Sequence, residues 1–431
     1  MKLPMSTLWP PPEPRATGKA WLVWTLAAVF VVWLFSIQTG YGIVSPEIQA
    51  TAGLTVAEVG LAATVYTWAF ALCQFFSGAL LDRFGSWPLM TIAVAFVTVG
   101  AFLYSATSSM AMLVLAQAVL ALGSSFGFVG AGYLGGHWFG PARFGLMFGL
   151  VQSLSSLGSA AAQPSLSFAL EGVSWQALLA GFGAFGILLV VLFALFVRNP
   201  GDPGTVRRAA APNGEQARGL FTAILRDVGR CLANRQVLLA ALVAGASFGT
   251  MIAVGSLWGP RLLEARGEGE NVAAWLNAAA WVGLAAGAPL FAVLSERLRG
   301  RRVPATAGVL FQGLAVAGVI YLPGGAWGVS LVLMAAMGLF SGALMLGFTV
   351  AGESVPQAQL GTASAVVNGV CFLIGGLCTA LPGRLLPGAP GLADYQRALW
   401  VIPALLMAGV VAALLLKESH PRRMSEPLAS A

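Results

Sequence analysis

Residues 84–142 read FGSWPLMTIAVAFVTVGAFLYSATSSMAMLVLAQAVLALGSSFGFVGAGYLGGHWFGPA and contain no Asp, Glu, Lys or Arg. A helix needs about 20 mostly apolar residues to cross the roughly 30 Å hydrocarbon layer of a bilayer. This stretch holds two such crossings and a short uncharged turn between them. Nine other stretches are also free of charge: 20–46, 59–81, 144–170, 172–197, 236–260, 271–295, 303–352, 354–383 and 398–416. Of these, 303–352 also fits two crossings and the rest fit one each. The sequence therefore predicts an all-α integral membrane protein with twelve transmembrane helices in two six-helix bundles. The helices are expected near 20–42, 57–81, 88–107, 110–133, 143–169, 174–197, 236–259, 271–294, 303–323, 327–351, 361–384 and 396–416.

Composition agrees with a chain solvated mainly by lipid. Of 431 residues, 58% are hydrophobic and only 9% charged, against about 25% charged in a soluble domain. The 54 glycines suit close helix contacts in lipid. The net charge of +7 does not point to nucleic acid, because the basic residues are scattered among loops rather than gathered on one face. The four cysteines suggest no disulfide framework, since Cys73, Cys371 and Cys378 fall inside predicted helices. Cys371 and Cys378 lie seven apart but have no nearby His or acid, so neither a metal nor a cofactor is expected. The first apolar run is too long for a signal-peptide core and is expected to remain as the first span.

Lys and Arg placement sets the expected orientation. With the N-terminus inside, inside segments carry 19 of these residues and outside loops carry four: Arg261, Arg266, Arg384 and Arg397. Both termini are then cytoplasmic. The predicted organisation is a cytoplasmic N-terminal segment (1–19), a first bundle (20–197), a basic cytoplasmic linker (198–235), a second bundle (236–416) and a cytoplasmic tail (417–431). Residues 219–234 of the linker fit a short amphipathic helix on the inner membrane surface. Arg outnumbers Lys 20 to 3, which suggests a GC-rich bacterial genome and hence the inner membrane.

The two halves repeat. Gly78-Ala-Leu-Leu-Asp82-Arg83-Phe-Gly85 follows the second span, and Ala292-Val-Leu-Ser-Glu296-Arg297-Leu-Arg-Gly300-Arg301-Arg302 follows the eighth. Pro141-Ala-Arg143-Phe-Gly145, then Gln152 and Gly158, opens the fifth. Pro356-Gln-Ala-Gln-Leu-Gly361, then Asn368 and Gly375, opens the eleventh. Both landmarks share an offset of 214 to 217 residues. Such duplications place a solute site between halves, near mid-membrane.

At these residues the chain resembles the major facilitator superfamily of secondary transporters. That family carries Gly-x-x-x-Asp-Arg-x-Gly-Arg-Arg between its second and third helices. Gly78, Asp82, Arg83 and Gly85 match, while Ser86 and Trp87 stand where basic residues usually follow. The second half supplies the basic residues, with Glu296-Arg297 followed by Arg299, Arg301 and Arg302. The resemblance implies that these loops act as latches, binding each other or neighbouring helix ends in one conformation and releasing in the other. Asp82 is expected to pair with Arg143, and Glu353 with one of Arg297, Arg301 or Arg302.

The resemblance also implies that spans 1, 2, 4, 5, 7, 8, 10 and 11 enclose the solute path. Their polar residues are few: Gln38, Thr39, Tyr41, Tyr66, Gln74, Gln117, Gln152, Gln163, Ser247, Thr250, Asn277 and Asn368. Amides are costly to expose to lipid and should face the bundle interior. The candidates for solute contact are Gln38, Tyr41, Tyr66, Gln117, Gln152, Asn277 and Asn368, each of which could instead tie helices together. Gln152 and Asn368 occupy equivalent repeat positions. Trp68 and Trp258 are candidate apolar walls.

No Lys, Arg, Asp or Glu lies in the interior of these spans, which disfavours a strongly anionic solute and leaves the coupling ion open. Gln117 stands roughly where many relatives carry an Arg. Glycine tracts at Gly123 to Gly136 and Gly338 to Gly347 suit bending or close helix approach. No nucleotide loop, metal cluster or nucleophile–base pair suggests an enzyme. The expected function is alternating-access transport of a small zwitterionic, neutral or weakly charged organic solute: an amino acid, nucleoside-like molecule, monocarboxylate or small metal chelate. Its partners are that solute and the lipid bilayer, and a monomer is expected. Efflux of amphipathic metabolites or drugs is one alternative. A non-transporting receptor or assembly factor acting through the linker is another.

Overall fold

The computed structural model describes residues 17–140, 143–198, 214–322, 327–386 and 390–421. Among these residues all regular structure is helical. In chain order the helices are α1 (Gly18–Thr39), α2 (Tyr41–Ala52), α3 (Val56–Phe84), α4 (Ser86–Ser105), α5 (Met110–Ser124), α6 (Gly127–Phe139), α7 (Phe144–Leu170), α8 (Trp175–Phe196) and α9 (Gly214–Ala233). They continue with α10 (Arg235–Ala253), α11 (Gly259–Ala265), α12 (Glu270–Arg297), α13 (Arg302–Tyr321), α14 (Trp327–Ser341), α15 (Leu344–Glu353), α16 (Leu360–Leu385), α17 (Leu392–Ala398) and α18 (Val401–Leu414). A π-helical turn, Val254–Trp258, separates α10 from α11.

Twelve helical segments are long and apolar enough to cross a membrane, and they match the twelve expected spans one for one. The fourth runs to Phe139 rather than ending near 133. Near that end the Trp138 indole N–H donates to the Arg198 carbonyl at 2.9 Å. The linker helix α9 begins at Gly214, five residues before its expected start. Residues 1–16, Arg207, Arg208 and the side chains of Gln163 and Arg218 lie outside the described residues.

Local chemistry starts and stops these helices. Thr17, Thr55, Ser109 and Ser174 cap N-termini by accepting a backbone N–H, replacing partners that a first turn lacks. Thr55 and Glu58 form a reciprocal capping box on α3, so the Glu58 carboxylate is used structurally. Many large apolar side chains remain exposed along the spans, among them Phe168, Trp275 and Val303. Lipid solvates such a surface where water would not.

The chain forms two compact units. One holds residues up to Met147, Ala161–Ala233 and Val355–Val366; the other holds Phe148–Ala160, Asn234–Ser354 and the chain from Val367 onward. The start of α16 thus packs with the first unit, because Gly78 of α3 presents no side chain there. A Cβ at Gly78 would run into the Gly361 backbone and Ala365. The middle of α7 belongs with the second unit, where the Ser153 hydroxyl donates to the Ala285 carbonyl and Gly149 leaves room for the backbone at Ala288.

Both turns after the repeated motifs use left-handed backbone. Gly85 has φ +77° between α3 and α4. At the end of α12 the equivalent residue is Arg299, with φ +49°. There Gly300 N–H donates to the Ser295 carbonyl and Arg299 N–H to the Glu296 carbonyl, both at 3.1 Å, a helix stop that normally carries glycine at the left-handed position. Arg299→Gly is expected to raise stability by about 1 kcal/mol, read as a higher melting temperature in detergent. A lower one would show that the Arg299 side chain stabilises the turn by more than its backbone costs.

Candidate functional site

In the first unit the repeated motif works through one helix face. Gly78 and Asp82 are four residues apart, one above the other on α3. Gly78 lets the start of α16 approach, and Asp82 caps it. The Asp82 carboxylate accepts from Gly361 N–H at 2.8 Å, Thr362 N–H at 2.7 Å and the Thr362 hydroxyl at 2.7 Å. A carboxylate at a helix N-terminus satisfies unpaired N–H groups and the positive end of the helix dipole. Gly361 must itself be small, because a Cβ there would lie 2.8 Å from Asp82 Oδ1.

Arg143, the expected partner of Asp82, is exposed and makes no ion pair among the described residues. Backbone donors occupy the carboxylate instead. Arg83 turns to the linker helix and pairs with Asp227 of α9, which also meets Arg230 at 3.5 Å. Cys231 is buried nearby, and that burial, together with the Asp82 and Asp227 charges, pushes its thiol up to about 11. It is therefore a neutral packing residue at physiological pH.

In the second unit Arg301 is the centre of the matching cluster, with its side chain only 5% exposed. Its guanidinium donates to Glu353 at 2.7 Å, Glu296 at 2.6 Å and the Ser295 hydroxyl at 2.9 Å. Burial works against its charge, but Glu353 and Glu296 outweigh burial and hold the guanidinium above its usual range. Arg297 and Arg302, the other expected partners of Glu353, are exposed, and their side chains make no ion pair among the described residues.

A feature without any sequence forewarning joins this cluster: the chain after α18 folds over it. Glu418 accepts from the backbone N–H groups of Arg301 at 2.8 Å and Arg302 at 3.4 Å. The Ser419 hydroxyl donates to Glu353 at 2.6 Å, and the His420 ring meets Glu296 at 3.2 Å. Burial works against the Glu418 charge, but the surrounding backbone N–H groups hold its carboxyl below the usual range.

The candidate solute residues divide between the units. In the first, Gln38 Oε1 is buried without a partner. Tyr41 donates to the Val59 carbonyl at 2.7 Å and stacks on Tyr104, so it ties α2 to α3. The Tyr66 hydroxyl is buried against Ser124. Gln117 is buried on α5. Gln74, fully buried, donates from Nε2 to the Ser125 carbonyl at 2.8 Å, and its Oε1 has no partner.

In the second unit Gln152 donates to the Ser156 hydroxyl one turn along α7 at 3.1 Å. Asn368 is buried with its Nδ2 unpartnered. Asn277 Nδ2 and Trp281 Nε1 both donate to the Gly255 carbonyl, at 2.7 and 3.0 Å. That carbonyl belongs to the π-helical turn, where Gly259 N–H reaches back to Val254. π-turns inside transmembrane runs often mark functional positions. Pro260 was the available signal, since it has no N–H to continue the α-helical ladder. Trp258 is buried and donates to the Cys378 carbonyl at 3.0 Å. Trp68 is exposed on α3.

A family model described as Major Facilitator Superfamily matches residues 24–380. The chain belongs to that superfamily. It is an integral multi-pass membrane protein, as its twelve spans require. An uncharacterised transporter of Bacillus subtilis strain 168 is 24% identical over 190 residues, 42% of this chain and 41% of that relative. A probable galactarate/D-glucarate transporter of the same organism is 23% identical over 222 residues, 49% of this chain and 48% of the relative. A probable sulfoacetate transporter of Cupriavidus necator is 24% identical over 165 residues, 38% of each chain. The chain spans less than half the length of each of these facilitator relatives.

Proposed function

We propose that the chain is a secondary transporter that moves a small, weakly charged organic acid across the bacterial inner membrane by alternating access. It works as a monomer with both termini cytoplasmic and has no enzymatic step. The observation that carries this reading is the Asp82 carboxylate on the start of α16, three hydrogen bonds that can be made in one conformation and released in another. The Arg301 cluster is the corresponding device of the second half.

Span interiors without charge allow zwitterionic, neutral and weakly charged solutes. The relatives named for glucarate and sulfoacetate add organic acids to that range and favour them. The test is counterflow in proteoliposomes against a panel of hydroxy acids, sulfonates, amino acids, nucleosides, monocarboxylates and iron chelates. Accumulation of one acid class above protein-free vesicles is the expected result. Accumulation of only a non-acid class would overturn the solute assignment, and none across the panel would overturn transport of small solutes.

A further inference from the structure

In the second unit three spans carry a proline where the backbone ladder needs a donor. Pro289 lies inside α12 and Pro382 inside α16, and Pro260 follows the π-helical turn of the seventh span. Proline has no N–H, so the carbonyl four residues earlier in an α-helix, or five in a π-turn, loses its helical donor. Those carbonyls belong to Ala285, Cys378 and Gly255. Each accepts from a side chain of another span. The Ser153 hydroxyl of α7 donates to Ala285. The Trp258 indole donates to Cys378 at 3.0 Å. Asn277 and Trp281 of α12 donate to Gly255 at 2.7 and 3.0 Å. Bent transmembrane helices keep their freed groups satisfied in this way.

The donors differ in what they can do next. An indole has a single N–H and no acceptor. Trp258 is 2% exposed, and releasing Cys378 would leave a buried donor unpaired at considerable cost. The Ser153 hydroxyl also has one proton, but two acceptors lie within its reach. It sits 3.0 Å from the Gly149 carbonyl, one turn earlier on its own helix, as well as against the Ala285 carbonyl. Rotation of the hydroxyl hands the proton from one to the other, and Ser153 is satisfied either way.

The two backbones meet at this point. A Cβ at Gly149 would lie 2.9 Å from the Ala288 carbonyl oxygen and 3.2 Å from Pro289 Cα. The bend in α12 is thus in direct contact with α7, and one exchangeable hydrogen bond spans the contact. At the repeat-equivalent place in the second span stands Phe75, so the first half has no proline there.

We propose that the eighth span flexes at Pro289 during transport, and that Ser153 is the positioning residue that holds the bend in this conformation and releases it in the other. Trp258 and the Asn277–Trp281 pair hold the other two bends throughout. Asn277 then serves a backbone carbonyl rather than a solute. The inference rests on the transporter reading and locates one hinge of its second half.

The experiment uses the purified full chain with Ser153→Ala, Pro289→Ala, the double variant and Trp258→Phe. Ser153→Ala is expected to lower the melting temperature in detergent by about 2–4 °C, the loss of one hydrogen bond. In the Pro289→Ala background it should lower it by nothing, because residue 289 then supplies an N–H to Ala285. Pro289→Ala alone should raise the melting temperature and still cut counterflow about fivefold, the effect of a one-bond bias on two exchanging states. Hydrogen exchange of the α12 amides from 286 to 293 should quicken in Ser153→Ala and slow in Pro289→Ala. Trp258→Phe should lower the melting temperature and leave that exchange unchanged.

An equal thermal loss from Ser153→Ala in both backgrounds overturns the proposal, because the hydroxyl would not be serving the carbonyl that Pro289 frees. So does wild-type flux in both Ser153→Ala and Pro289→Ala, which would make the bend static. If Pro289→Ala does not fold, Ser153→Ala, which removes only a hydroxyl, decides by flux and exchange. Exchange needs no solute. Exchange across 286–293 that is the same in every variant overturns the hinge even where counterflow finds a solute, and a panel without flux overturns the transporter reading by itself.

Discussion

Asp82→Asn is expected to cut solute flux at least tenfold while the purified protein keeps its helix content. The carboxylate accepts three hydrogen bonds at the start of α16, two from backbone N–H groups and one from the Thr362 hydroxyl. Charge-assisted bonds of this kind contribute about 1.5–3 kcal/mol each. Asparagine keeps one acceptor oxygen and turns an NH2 group toward a backbone donor, so at least one bond is lost and the charge at the helix end goes with it. A loss of about 3 kcal/mol in one of two exchanging states shifts their ratio roughly 150-fold. The substitution leaves the spans intact, because it removes no buried apolar side chain. Gly361→Ala should act in the same direction, since its Cβ would press on Asp82 Oδ1. The measurement is counterflow in proteoliposomes alongside circular dichroism. Flux within twofold of wild type for both variants would show that the contact is a static cap.

The Asp82 contact also shows where the sequence was readable and where it was not. Charge marks helix ends, so all twelve spans could be placed from charge-free gaps, and the structure moves most ends by only a few residues. The glycine tracts announced the interrupted fourth and tenth spans, because glycine is where backbones bend or meet. The pairing of Asp82 was not readable. A sequence displays charged partners such as Arg143, but not the backbone N–H groups that a helix start offers, and those donors hold the carboxylate. Glu353 was different: three arginines were in range by sequence, and burial singles out Arg301, leaving Arg297 and Arg302 in solvent. Residues 417–420 read as a plain tail, because nothing local ties Glu418 to a turn more than a hundred residues earlier.

Removing Arg301 is expected to destabilise the protein by about 3–5 kcal/mol, the cost of leaving the buried Glu353 carboxylate without its cation. Its side chain is 5% exposed and that of Glu353 15%, so solvent cannot replace the lost partner well. Arg301→Ala strands Glu353 and also ends the bond to Ser295. Arg297→Ala and Arg302→Ala, on exposed side chains without ion pairs among the described residues, should stay within about 0.5 kcal/mol of wild type. The double variant Arg301→Met, Glu353→Met should recover most of the loss, because an apolar pair avoids the desolvation that a single removal exposes. Thermal unfolding in detergent reads all four. A loss under about 1 kcal/mol for Arg301→Ala would mean that water reaches Glu353 despite its burial.

The tail adds a pH dependence with a fixed sign. The folded Glu418 carboxyl is held below its ordinary range, so its clamp on Arg301 and Arg302 is fully present above that range and weakens as pH falls through it. Truncation after Leu416 should remove this acid-sensitive part of the stability while leaving the Arg301–Glu353 contribution in place. Stability that loses its acid limb on truncation would assign the clamp to Glu418. An unchanged acid limb would assign it to the carboxylates of the Arg301 cluster.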